Sequence, residues 1–218
     1  MTPNNSELVF SPAVRRAQAE RGSAKGYARR IEHGFPDTVT PELAAFIAEL
    51  DTAFLATASA DGRPYIQHRG GPKGFIKVIN ARTLGFADYR GNRQYITLGN
   101  LSENDRAYLF LLDFSRRQRI KLWGRARVTE NDAALIEKLF DHGYQAKPER
   151  VILFTLDAWD VNCSQHITAR MTVGEVEGLL GTVEERVAAL QAENARLKAA
   201  LAAREAAARP APPVETVR

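Results

Sequence analysis

The sequence predicts a mainly β fold with α elements (α+β): an antiparallel β-barrel, peripheral helices and a separate C-terminal coiled-coil helix. Three observations predict it. Six or seven short apolar-rich segments succeed one another between residues 53 and 162, and most are parted by turn residues that suit hairpins. A heptad pattern replaces them after residue 172. The 218 residues are 44% hydrophobic, enough for one core domain with appendages.

In chain order, residues 1–40 form a helical lead. Residues 12–32 read as a polar, mostly helical stretch that Gly22 and Gly26 interrupt. Thr40-Pro41 is an N-cap followed by proline at the first helical position, where the missing N–H is no loss. It opens a short helix with Leu43, Phe46, Ile47 and Leu50 on one face. The barrel domain is assigned to residues 41–171. Phe54–Ala58 and Pro64–Arg69 are strands joined by Ala60-Asp61-Gly62-Arg63, a hairpin turn with glycine where positive φ is needed. Phe75–Asn80 and Leu84–Asp88 follow as short strands, and a short helix is expected within 92–101. Arg106–Phe114 and Arg119–Thr129 are long strands; the first is almost wholly apolar and is expected to be buried on both faces. Asn131 or Asp132 caps a helix running to about His142, and Val151–Asn162 is the last strand.

Residues 172–208 are assigned to the C-terminal helix. Thr172-x-x-Glu175 and Thr182-x-x-Glu185 both fit the capping box. Leu180, Val187, Asn194 and Leu201 fall at a, and Val183, Leu190 and Leu197 at d. Asparagine at a is tolerated best where two parallel helices set it against its twin, and Glu193 at g then faces Lys198 at e. Such a helix pairs with its twin, with another protein, or with its own barrel. Residues 209–218 are expected to be disordered.

The net charge of +4 conceals a strong asymmetry. Between Arg63 and Arg127 fourteen basic residues stand against four acids, a local excess of +10 that leaves −6 for the rest of the chain. That middle suits a phosphorylated small molecule or a nucleic acid, or is a set of solvated strand faces. Few aromatic residues lie beside the cations (Tyr89, Tyr95, Trp123), which argues against nucleic acid, and the basic stretch is not continuous with the heptads as a bZIP requires. No segment has the roughly 18 uncharged apolar residues of a membrane span, no apolar leader is evident, and Cys163 is the only cysteine. A cytoplasmic protein without a membrane partner is expected.

Nucleotide-binding glycine loops, the G-x-S-x-G elbow and H-E-x-x-H are all missing. Cys163-x-x-His166 has metal-ligand spacing, but the other histidines (33, 68, 142) are scattered, so no metal site is expected. Polar clusters at strand ends remain. His68-Arg69-Gly70-Gly71-Pro72-Lys73-Gly74 combines close backbone approach with two cations. Arg90-Gly91-Asn92-Arg93-Gln94 follows the strand that ends at Asp88 and precedes a helix, which suits an anion cradle of backbone N–H groups and a guanidinium. Arg119 and Lys121 open the next basic strand.

At these residues the chain resembles the pyridoxamine 5′-phosphate oxidase-like family of FMN-binding split β-barrels, from about Leu43 to about Met171. FLATASADGRPY (54–65) is similar to its first hairpin, FADYRGNRQ (86–94) to its phosphate segment, and QRIKLWGRA (118–126) to a later strand that reaches the flavin. GGPKGF with DYRGNRQ and NCxxHI is most similar to a bacterial flavin-nucleotide-binding subgroup. The resemblance implies a homodimer with FMN at the subunit interface. It would place Arg69, Arg93 and Arg119 near the phosphate or the ring. Together with the polar clusters, the expected FMN-binding set is His68, Arg69, Gly70, Lys73, Asp88, Asn92, Arg93, Gln94, Arg119 and Lys121. Two departures stand out: Gln94 occupies the place of the family's phosphate lysine, and Asn162–Ile167 stands where true pyridoxamine-phosphate oxidases grip their substrate. The resemblance therefore points to an FMN-dependent oxidoreductase of another substrate, with His166 as a candidate proton donor, or to a flavin-binding or sensor module without turnover.

Overall fold

The computed structural model describes residues 4–207. Seven strands form one antiparallel sheet: β1 (Thr52–Ala58), β2 (Pro64–Gly70), β3 (Lys77–Asn80), β4 (Thr83–Tyr89), β5 (Arg106–Asp113), β6 (Gln118–Thr129) and β7 (Pro148–Asn162). Their order is β2-β1-β5-β6-β7-β4-β3. The expected hairpin is present: β1 and β2 pair from Thr52↔Gly70 to Ala58↔Pro64, with Gly62 at φ +84° in the turn. β2 and β3 end the sheet without backbone pairing to each other, which is the split of the barrel.

The core lies on the inner face. Leu55, Leu109, Leu122, Ile152, Phe154 and Leu156 are fully buried there. Helix α4 (Pro41–Ala48) covers it with Leu43, Phe46 and Ile47; its Thr40 cap accepts the Leu43 N–H at 3.3 Å. Strand β7 is buried on both sides, because Val151 and Leu153 pack beneath α6 (Ala133–Leu139). That helix is capped by Asp132, whose Oδ1 accepts the Leu135 N–H. On the outer face, Phe10, Phe35 and Ala158 form a smaller cluster that joins the N-terminal helices to β7.

Four expectations need correction. Gly22 does part α2 (Pro12–Glu20) from α3 (Ala24–His33), but Gly26 sits inside α3, since one exposed glycine costs a helix only about 1 kcal/mol. Helix α5 starts late, at Ile96–Glu103, because Arg93 and Tyr95 take left-handed backbone. Strand β5 is buried on one face alone; Tyr108, Phe110 and Leu112 alternate with its core residues and stay half-exposed. Thr182 caps nothing: α7 (Val173–Ala207) runs unbroken through it, and its Oγ1 donates to the Gly178 carbonyl. The Thr172 capping box is real, with Thr172 N donating to Glu175 and Glu175 N to the Thr172 hydroxyl. Residues 209–218 lie outside the described residues. Residues 4–169 and 170–207 belong to separate compact units, and no described helix is long and apolar enough to cross a membrane.

β6 and β7 form the longest ladder, from Arg119↔Asn162 to Thr129↔Val151, and its register shifts between Trp123 and Gly124. A Cβ on Gly124 would stand 2.1 Å from the Thr155 carbonyl oxygen, so only glycine fits the shift. Gly124→Ala should therefore lower unfolding free energy in urea by about 1–3 kcal/mol. Gly99→Ala, on exposed helix with nothing within 4 Å, should leave it unchanged or raise it slightly. Equal effects at the two positions would contradict this account of the ladder.

Candidate functional site

The inner face of β2 carries Tyr65, Gln67 and Arg69, because these residues pair with Thr57, Leu55 and Ala53, whose side chains point into the core. Across the split, β4 delivers Asp88. The Arg69 guanidinium donates from Nη1 to Asp88 Oδ1, and both side chains are largely buried. Asp88 lies opposite Arg150 in the β4–β7 register, with Arg150 Nη1 3.9 Å from its other oxygen. Arg150 is also held by Glu149 at 2.9 Å and Glu130 at 3.2 Å, and its guanidinium lies 5.2 Å over the Tyr95 ring.

Two adjoining hollows open around this network, of about 240 and 500 Å3. Arg69 and Asp88 line both and form their common wall. The smaller one is bounded by the loop Gly91–Tyr95 and by Ile96, Thr97 and Leu98. Arg93 (φ +61°) and Tyr95 (φ +56°) are left-handed, a backbone state that costs a non-glycine residue roughly 1–2 kcal/mol. Arg93 Nε donates to the Tyr95 hydroxyl at 3.0 Å, and Asn92 Oδ1 accepts the Gln94 N–H at 3.2 Å. Tyr95 precedes α5 without capping it by its side chain, and Ile96, Thr97 and Leu98 of the first turn line the hollow. Thr97 donates to Gln67 at 2.9 Å and ties that turn to β2. Guanidinium groups, amide side chains and a helix start line this small hollow beside the carboxylates of Asp88 and Glu149, a set of donors that would suit an anion.

The loss of hydration is the largest influence on Asp88. Burial pushes its carboxyl above the usual aspartate range, although Arg69 and Arg150 both pull it down. Arg69 Nε is buried without a hydrogen-bond partner among the described residues, whereas Arg150 Nε faces the Glu130 carboxylate at 3.2 Å. The Arg69 guanidinium at the wall of the cleft therefore retains donor capacity that the described residues leave unused.

Of the residues singled out from sequence, Arg69, Asp88, Asn92, Arg93 and Gln94 meet around the smaller hollow, and His68 and Gly70 line the larger one. The His68 ring shares a hydrogen bond with the Thr52 hydroxyl. Lys73 lies outside both hollows, 3.6 Å from Glu49. Arg119 and Lys121 lie on the opposite face of the sheet, in alternation with the buried Ile120 and Leu122. Lys121 is 3.5 Å from Asp160 and 5.2 Å from the Trp123 ring centre, and Arg119 keeps a buried Nε without a partner among the described residues. His166 is exposed, left-handed and remote from the hollows. Sequence reasoning missed Gln67 and Tyr65, which strand alternation from Arg69 would have found. It also missed Arg150, whose role depends on a pairing sixty residues distant.

A family model described as Pyridoxamine 5′-phosphate oxidase matches residues 39–163. The chain belongs to that family. No curated protein matches the chain. Among solved structures, the HupZ protein of group A Streptococcus is similar at 18% identity over 61% of this chain and 99% of its own, with a TM-score of 0.47. An FMN-binding protein from Syntrophomonas wolfei is similar at 11% identity over 68% and 97%, with a TM-score of 0.46. HutZ, the heme storage protein from Vibrio cholerae, is similar at 16% identity over 56% and 94%, with a TM-score of 0.40. The matched family segment holds both strands of the Arg69–Asp88 pair and the whole of the Gly91–Tyr95 loop.

The raised Asp88 carboxyl sets the sign of a pH effect. Between the ordinary aspartate value and its raised value, Asp88 binds more protons folded than unfolded, so its contribution to stability falls as pH rises through that window. Urea midpoints measured from pH 3.5 to 7 should show the wild type losing stability relative to Asp88→Asn as pH increases. A relative gain would show that the two arginines outweigh burial.

Proposed function

We propose that this member of the pyridoxamine 5′-phosphate oxidase family binds FMN and uses it in an oxidoreductase reaction on a substrate other than pyridoxamine phosphate. The observation that carries the reading is the buried Arg69, paired with Asp88 on one side and with its Nε donor unpartnered among the described residues, at the wall shared by two adjoining hollows. The residues fit the group. Arg69 and Arg93 would supply charge-assisted bonds to the phosphate, the Asn92 and Gln94 amides would complete its shell, and the first turn of α5 would favour its negative charge. The bound flavin would supply hydride and electron transfer, and the protein's part is to hold and orient it. His68 and Gly70 would border the ring in the larger hollow.

Arg119 and Lys121 fit this reading only through a second copy, since they lie on the face of the sheet turned away from the cleft. We therefore include a homodimer with the flavin at the subunit interface. Half-exposed Phe54 and Phe110, a tilted pair 6.5 Å apart, and Ile66 at 60% exposure give that outer face the apolar surface an interface needs.

The purified protein should be yellow or should quench the fluorescence of added FMN. Arg69→Ala should weaken FMN at least roughly tenfold, about 1.4 kcal/mol, in a fluorescence titration while changing riboflavin affinity little. Equal losses for the two ligands would remove the phosphate from Arg69, and a wild-type protein indifferent to FMN would end the reading. Steady turnover with a reduced nicotinamide and an electron acceptor separates the oxidoreductase from a flavin-binding module without activity.

A further inference from the structure

We propose that α7 forms a parallel, in-register two-stranded coiled coil with α7 of a second copy of this chain. The unbroken helix is the first ground. Because Thr182 lies within α7 and starts nothing, the heptad continues back through Val176 at d and Val173 at a. The seam then spans four heptads and more, on a helix of 35 residues and about 52 Å. Its eight apolar a and d side chains are all exposed, from 41% at Val176 to 75% at Val173, and no residue of α7 is buried. Aligned on one stripe, they are an exposed apolar surface.

The width of the stripe selects the occupant. A helix that lies on a globular core needs apolar residues at e or g besides a and d, whereas a strict a/d seam suits one other helix. Here e carries Glu177, Glu184, Gln191 and Lys198, and g carries Leu179, Arg186, Glu193 and Ala200, so neither flank is continuously apolar. Self-complementarity then selects a second copy in parallel. In register, Asn194 meets its own twin and both amides are satisfied; an antiparallel pair would set it against an apolar d residue. Glu193 meets Lys198 of the second copy, twice by symmetry, and Arg186 meets neutral Gln191. The remaining g positions Leu179 and Ala200 are uncharged, so the register holds no like-charge pair at g and e. The inference is independent of the flavin reading, because it concerns residues outside the cleft and the matched family segment.

Cross-linking of the full chain tests it. In a Cys163→Ser background, which removes the only native cysteine, Val183→Cys and Leu197→Cys are made separately and oxidised. A parallel register brings each d residue within disulfide distance of its own twin, so both variants should run as covalent dimers on a non-reducing gel. Ala192→Cys, at the outer f position, should not. An antiparallel coil cannot link both 183 and 197 to themselves, so linkage of one alone, of neither, or of all three alike would overturn the proposal. Adding Lys198→Glu to the Leu197→Cys chain should reduce the dimer severalfold, and adding Glu193→Lys as well should restore it. Failure of that restoration would overturn the register. All these positions are exposed on α7, so loss of fold does not confuse the result.

Discussion

The two ends of the sheet meet through side chains. Arg69 on β2 and Asp88 on β4 stand on strands that share no backbone hydrogen bond, and their ion pair spans the split. Both groups are mostly removed from water, so each makes the other tolerable. Removing one partner of such a pair typically costs about 3–5 kcal/mol, because the other is left charged and unpaired. The cleft depends on the same contact. The loop with two left-handed residues starts three residues after Asp88, and Arg150 reaches Asp88 from the far side. Strand β7 can bring Arg150 there because it pairs with β4 on one edge and β6 on the other, across the shift that Gly124 alone permits.

The charge asymmetry has a structural resolution. Of the fourteen basic residues between 63 and 127, nine form ion pairs within 4 Å: Arg63, Arg69, Lys73, Lys77, Arg82, Arg90, Arg116, Lys121 and Arg125. Many partners come from outside that window, among them Asp37, Glu49, Asp141, Glu149 and Asp160. Much of the +10 segment is thus folded against the acids of the remaining chain. Exposed pairs of this sort contribute little each, about 0–1 kcal/mol. Their effect is to leave a few cations without a carboxylate, and Arg93, at the mouth of the cleft, is one among the described residues.

Local chemistry was the readable part. The strand segments, the Thr40 and Asp132 caps and the Gly62 turn each follow from neighbours in sequence, because period-2 alternation, a side-chain acceptor and a positive φ act over a few residues. Asp88, Asn92, Arg93 and Gln94 were found for the same reason: they occupy one strand end and its loop. Arg150 was not, since an arginine before an apolar strand resembles any solvated strand start until β7 is set beside β4. Thr182 shows the reverse failure. Its capping box is complete locally, yet helix on both sides of it makes an interruption costlier than continuation.

What the sequence determined by itself is the set of strands and most helices, the polar loop after Asp88 and the heptad of α7, all products of short-range periodicity and backbone preference. Which face of the sheet each cation occupies was a tertiary decision. Arg69 and Arg119 look alike as basic residues on short strands, but strand pairing sends the first into the cleft and the second to the opposite face. A one-residue change of register would exchange them, because side chains alternate across a strand and only the packed core selects the register. Burial of Asp88 between two arginines was likewise decided by the packing of distant strands, and it converts a strand-end carboxylate into the wall of a binding cleft.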